Sequence, residues 1–163
     1  GLGLVLWLKA AYGDDTNEAW ADIAPHVLTV TSGWSEAYSL FLNGEADMVL
    51  SYTTSPAYHI IAEDDDRYAA APFSEGHYAQ IEVAGILNSS PHQELAQDFL
   101  SYMLTPEAQE NIMMTNWMYP VADINLPKGF AEPLPADEAL LLDADEVTVN
   151  KNAWIEEMLG ALR

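Results

Sequence analysis

Apolar positions recur along this chain with two periods, and their order predicts helices alternating with strands. Residues 2–12 are strong helix formers closed by Gly13, a residue suited to the turn that ends a helix. A second short helix is predicted from about residue 17 to 24, stopping before Pro25. Residues 27–31, VLTVT, are short and rich in β-branched side chains, the pattern of a buried strand. Trp34, Ala37, Tyr38, Phe41 and Leu42 then fall at i, i+3, i+4, i+7 and i+8, one helical stripe that Asn43-Gly44 ends. Residues 48–52 are the next strand. Strand, helix, strand at this spacing predicts a βαβ unit of a parallel sheet.

Three further helices are predicted from a shared device. Ser55-Pro56, Ser90-Pro91 and Thr105-Pro106 each offer a hydroxyl at the N-cap and proline at the first helical position. Gln93, three residues after Ser90, completes a capping box. Leu95, Phe99, Tyr102 and Met103 form one stripe on the helix from Pro91, an expected core face. Residues 78–87 are predicted to cross the sheet as a strand. The four prolines between 120 and 135 predict loop. A last helix, from about 144 to 162, is expected to bury Trp154, Ile155, Met158, Leu159 and Leu162. The predicted class is α/β with a mixed or parallel sheet.

Composition narrows the function. Half of the 163 residues are hydrophobic and 10% are aromatic, enough for a packed core and unlike an acidic disordered tail. Five Lys+Arg against 26 Asp+Glu give a formal charge of −21. Nucleic acid is excluded as partner, because binding phosphates requires a basic face, and anionic membrane surfaces are disfavoured for the same reason. With no cysteine, thiolate nucleophiles, zinc-thiolate sites and disulfides are absent from these residues. No apolar run reaches the roughly 18 residues of a spanning helix. The apolar opening lacks a basic n-region and a cleavage site, and it begins at Gly1 rather than Met. The expectation is a start inside a longer protein, with any signal peptide upstream.

Short motifs give little chemistry. Glu63-Asp64-Asp65-Asp66 lacks the alternating ligands and glycine of a calcium loop, and is expected to be a solvated loop. The histidines at 26, 59, 77 and 92 show no zinc spacing. Gly33-Trp34-Ser35-Glu36-Ala37 has Ala37 where a hydrolase nucleophile elbow needs glycine. No metal or cofactor is expected.

The aromatics are better placed. Trp34 opens a helix just after a strand, Tyr52 ends a strand, Tyr58 lies one turn into the next helix, and Trp117 and Tyr119 sit in a predicted loop. Strand C-termini and the helix starts that follow them are where open α/β sheets bind ligands. Aromatics there stack flat heterocycles or hold cations. Free N–H groups at Gly33-Trp34-Ser35 or Thr54-Ser55 suit an anion. The same pattern also fits core residues at element ends, and the spacing alone leaves both readings open.

At these residues the chain resembles a known family. Val30-Thr31-Ser32-Gly33-Trp34-Ser35-Glu36-Ala37-Tyr38 and Val49-Leu50-Ser51-Tyr52-Thr53-Thr54-Ser55-Pro56-Ala57-Tyr58-His59 resemble the periplasmic thiamine-binding proteins of bacterial ABC importers. Phe73-Ser74-Glu75-Gly76-His77-Tyr78, Asn116-Trp117-Met118-Tyr119-Pro120-Val121 and Trp154-Ile155 extend the likeness over nearly the whole chain, most loosely across 130–152. The resemblance implies a C-terminal fragment of a two-lobed, type II periplasmic binding protein that closes over its ligand and docks on a membrane permease. By the family pattern, residues 1–77 belong to the second lobe, 78–115 return toward the first, and 116–163 carry a ligand loop and the closing helix. Matching positions make Trp34, Tyr52, Thr53, Thr54, Ser55, Tyr58 and Trp117 the expected contacts for thiamine, with helix N-termini near Trp34 open to the phosphate of its esters. Other carriers of this fold take iron through adjacent tyrosines, absent here, or polyamines through several carboxylates. Thiamine-degrading enzymes of the same fold use a cysteine.

Overall fold

The structure, a computed structural model, describes residues 1–130 and 139–163. Among these, seven α-helices are present: α1 (Leu2–Tyr12), α2 (Thr16–Ile23), α3 (Trp34–Leu42), α4 (Ser55–Ala62), α5 (Gln93–Met103), α6 (Pro106–Asn116) and α7 (Ala144–Ala161). The described residues gather into two compact units. One holds Gly1–Ser51, Pro72–Ala79 and 139–163; the other holds Tyr52–Ala71 and 80–130.

The first unit is built on α1, α2 and α7. Val5 and Leu8, three apart on one face of α1, are buried with Trp20 of α2 and Met158 of α7. Trp7, Tyr12, Ile23, Trp154, Leu159 and Leu162 pack around them. Gly13 ends α1 at φ 54°, where its N–H reaches the Lys9 carbonyl, a left-handed turn that glycine makes without steric cost. Polar contacts fix what the core leaves loose. Lys9 Nζ meets Glu157 Oε2 at 2.9 Å and joins α1 to α7, while Trp7 Nε1 donates to the Gly76 carbonyl at 2.9 Å. The Tyr12 hydroxyl donates to Glu75 at 2.7 Å; that bond raises the phenol's pKa and lowers the carboxyl's. Asp143 caps α7 by accepting from the N–H groups of Asp145 and Glu146 at 3.0 Å, an arrangement typically worth about 1 kcal/mol.

In the second unit, α4 buries Ala57 and His59, and α6 buries Ala108, Gln109 and Met113. Gln109 is a buried polar residue with both ends satisfied. Its amide donates to the Met103 carbonyl at 2.8 Å, and its oxygen accepts from the Val121 N–H at 2.8 Å. Only such pairing removes the cost of burying an amide. Thr105 caps α6 with Pro106 behind it, as expected.

Three expectations need correction, and the expected sheet is not confirmed among the described residues. The sheet is not seen: the described residues contain two isolated parallel bridges, Tyr78 with Leu140 and Lys128 with Phe130, and no ladder. Residues 27–31, 48–52 and 79–87 lack strand pairing, and Leu28, Val30, Met48, Leu50, Ile81 and Val83 are exposed. Strand propensity reports fit to a pleated, half-buried surface, and without a cross-strand neighbour it has nothing to fit. The stripe on α5 is not core either, since Leu95, Phe99 and Tyr102 are exposed. The helix expected from Pro91 begins at Gln93, whose amide donates to the carbonyls of Leu87, Asn88 and Ser90 instead of closing a capping box. The N-cap of α4 is Thr54, one residue before Ser55. The part of the predicted 120–135 loop beyond residue 130 lies outside the described residues.

Candidate functional site

Six of the seven expected site residues fall in the second unit, where the end of α6 holds Thr54 and Tyr58 against Trp117. Trp117 is the C-cap of α6, not a loop residue, at φ 54° and ψ 43°, with its N–H on the Met113 carbonyl. This left-handed turn swings the indole out of the helical stripe. Its ring meets Tyr58 of α4 nearly perpendicularly, at 5.3 Å and 78° between planes. Phe130 lies almost parallel to Trp117, with centroids 6.4 Å apart, and Tyr119 stands against Phe130 at 6.1 Å. Four aromatic rings from α4, the end of α6 and residues 119–130 thus form one cluster.

The turn before α4 locks onto the same place. Thr54 is buried, and its hydroxyl donates to the carbonyl of Trp117. Thr54 therefore ties the start of α4 to the end of α6, a fixing role distinct from ligand contact. Tyr52 is half exposed, and its hydroxyl accepts from Gln80 Nε2 at 2.8 Å. The Ser55 N–H donates to the Tyr52 carbonyl at 3.0 Å, closing the turn through Thr53.

Carboxylates stand beside the rings. Glu63 Oε2 accepts from His59 Nδ1 at 2.6 Å. His59 first and Tyr58 second hold the Glu63 carboxyl below its ordinary pKa, and Glu63 in turn raises the phenol of Tyr58. Asn116, next to Trp117, donates to Glu82 Oε2 at 3.2 Å. Rings with ionised carboxylates beside them favour a flat cation over a flat neutral or anionic group.

The acidic run after α4 is more ordered than a solvated loop. Asp64 turns left-handed at φ 52°, and the N–H groups of Glu63 and Asp65 both reach the His59 carbonyl. Asp65 grips the Arg67 guanidinium at 2.6–3.1 Å, which holds its carboxyl down at about 2. Tyr68 then returns over the buried His59 with ring centroids 4.1 Å apart. Asp64, Asp65, Asp66, Ile60, Lys128 and Gly129 line a hollow of about 300 Å³. Among the described residues, no cluster of three or more His, Asp or Glu is placed to hold a metal, and no helix is long and apolar enough to cross a membrane.

Trp34 belongs to the first unit. Its ring lies on Tyr38 at 4.6 Å, its Nε1 donates to Ser51 Oγ at 3.1 Å, and 56% of it is exposed. It is therefore no core residue. The helix start beside it carries its own anion: the Glu36 carboxylate accepts from Ser32 Oγ at 3.3 Å and would touch a Cβ added at Gly33. A carboxylate thus stands beside the anion place expected at Gly33-Trp34-Ser35. Reasoning from sequence missed His59, Glu63, Tyr68 and Phe130. His59 and Glu63 stand at i and i+4 on a predicted helix, a spacing that signals such a pair.

The model of the family described as bacterial extracellular solute-binding protein matches residues 3–110. A thiamine-binding periplasmic protein of Escherichia coli K12 is 54% identical over 99% of this chain, and one of Brucella abortus is 48% identical over the same share. A solved structure of a periplasmic thiamin binding protein superposes on the whole chain with a TM-score of 0.89 at 52% identity, and 51% of that protein is covered. The chain spans about half the length of the curated relatives it matches. On the match of residues 3–110, and with the fold shared over its whole length, the chain belongs to the bacterial extracellular solute-binding protein family.

Proposed function

We propose that this chain is part of a periplasmic carrier that captures thiamine and delivers it to the permease of an ABC importer. One observation carries the proposal: the cluster of Tyr58, Trp117, Tyr119 and Phe130. Thiamine has a flat aminopyrimidine to stack and a thiazolium cation that prefers electron-rich ring faces. Each such contact contributes on the order of 1 kcal/mol or more once water is excluded. The relatives at about half identity, named for thiamine, point to the same ligand.

In this proposal Tyr58 and Trp117 stack the ligand, Tyr52, Thr53 and Ser55 line its edge, and Thr54 holds the turn. Trp34, exposed beside Tyr38 in the first unit, is by matching position a further expected contact for thiamine. The phosphate of an ester is expected to find its partners away from α3, where Glu36 already stands. The division into a second lobe (1–77), a return segment (78–115) and a ligand loop with closing helix (116–163) is part of the same proposal. A carrier suits these residues better than a thiamine-degrading enzyme, because the relatives at about half identity are named as binding proteins. Adding thiamine to the protein at its full natural length should quench or shift tryptophan emission, and Trp117→Phe should remove much of that change. Emission that ignores saturating thiamine would count against the ligand.

A further inference from the structure

Tyr52 and Gln80 are the residues at which two stretches of chain enter the second unit. They meet across 28 residues of sequence, with Gln80 Nε2 donating to the Tyr52 hydroxyl at 2.8 Å. Glu82, two residues on, accepts from Asn116 Nδ2 at 3.2 Å, while Ile81 between them is 70% exposed. Gln80 and Glu82 thus turn inward together, one to the turn before α4 and the other to the end of α6 that carries Trp117. The Trp117 carbonyl is held in turn by the Thr54 hydroxyl, so the stretch presenting Gln80 is anchored at a place already tied to α4. The polarity of the Gln80 bond decides what Tyr52 can do. A phenol carries one proton beside its oxygen lone pairs. Where the oxygen accepts from an amide, the O–H is left for a partner outside, and Tyr52, at 44% exposure, is open to one. Tyr12 shows the opposite case in this chain, giving its proton inward to Glu75 at 2.7 Å.

We propose that Gln80 is a positioning residue of the candidate site: by donating to the Tyr52 hydroxyl, it turns the phenol proton outward and makes Tyr52 a hydrogen-bond donor to an acceptor atom of the ligand. This inference rests on the proposed thiamine site, and goes beyond it in giving the edge of that site a polarity set by a residue that need not touch the ligand. Thiamine offers acceptors in its pyrimidine nitrogens and its hydroxyethyl oxygen. A donor oriented before binding favours such atoms and costs little to order.

The test compares thiamine binding by the parent, Tyr52→Phe, Gln80→Glu and the double variant, in the protein at its full natural length. Tyr52→Phe removes the outward donor and should weaken binding by about 3- to 10-fold, the range of one lost hydrogen bond. Gln80→Glu keeps the length of the side chain but, when ionised, can only accept, so it draws the phenol proton inward. Its loss should be about 3- to 10-fold larger in the parent than in the Tyr52→Phe background, where only its added charge acts. Equal effects in the two backgrounds, or a Tyr52→Phe protein that binds like the parent, would overturn the proposal. Ultraviolet Raman difference spectra, without ligand, read the same polarity. The intensity ratio of the tyrosine Fermi doublet depends on whether the phenol gives or takes its hydrogen bond, and subtracting the matching Tyr52→Phe spectrum isolates Tyr52. Gln80→Glu should move that ratio toward the proton-giving limit, whereas Gln80→Lys, which can only donate, should leave it near the parent's. A ratio unchanged by Gln80→Glu, or moved to the opposite limit by Gln80→Lys, would overturn the proposal. Should thiamine fail to bind even the parent, the ligand reading falls, while the Raman ratio still decides for or against the polarity. Should Gln80→Glu not fold, the ratio of Gln80→Lys decides it alone.

Discussion

Trp117 occupies a left-handed conformation, φ 54° and ψ 43°, which costs a residue with a Cβ on the order of 1 kcal/mol. Such a cost persists at a position whose side chain serves something besides packing. Two substitutions separate the contributions. Trp117→Gly relieves the backbone and Trp117→Ala does not, so the glycine variant should be the more stable of the two by about 1 kcal/mol. Both lose the indole, and both should bind thiamine more weakly by about 1–3 kcal/mol. Thermal melts paired with titrations of the two proteins check this; an Ala variant that binds like the parent would remove Trp117 from the site. Asp65 makes a different prediction. Its carboxyl is lowered from 3.8 to about 2 by Arg67, so the pairing stabilises the fold fully above about pH 4 and is lost as pH falls from there toward 2. The melting difference between parent and Asp65→Asn should be constant near neutrality and vanish across that interval. A difference that persists at pH 2 would assign Asp65 another role.

Among the elements, the helices were legible and the strands were not. α1 and α3 have the ends that Gly13 and Asn43-Gly44 imply, and Thr105-Pro106 starts α6 as its chemistry demands. These signals are local, each being a property of a few successive residues. A strand is settled by a neighbour elsewhere, and 27–31 and 48–52 have the propensity without a ladder among the described residues. The stripe on α5 failed for the same reason, since periodicity shows which face is apolar and not what covers it. The site was half legible: the aromatic types and positions stood in the sequence, but the αL turn at Trp117, the folded acidic run and Phe130 did not. Packing of the helices carries its own prediction. Trp20 is fully buried against Val5, Leu8 and Met158, so Trp20→Ala should cost about 3–5 kcal/mol and leave no change in the Tyr58–Trp117 contact. Trp154, partly buried under Lys9 at 5.9 Å, should cost less. Chemical denaturation curves rank the two, and equal losses would mean that burial in this core is not the deciding quantity.

On the scale of the whole molecule, the −21 charge acts as a diffuse field. Salt screens it beyond about 8–10 Å, so the net charge does not by itself set recognition. A small ligand in a closing carrier is buried on most sides, whereas Tyr58, Tyr52 and Trp34 are each well exposed in this chain. Residues 1–163 alone should therefore bind thiamine about a hundredfold more weakly than a protein of the relatives' full length that contains them, a difference of about 2.7 kcal/mol. Equal affinities in parallel titrations would place the complete site within these residues. The most direct measurement is isothermal titration of the protein at its full natural length with thiamine, followed by the same titration of Trp117→Ala. Saturable heat at one ligand per protein, weakened by the substitution, is the predicted result. A flat trace from the parent protein would contradict the account at its centre.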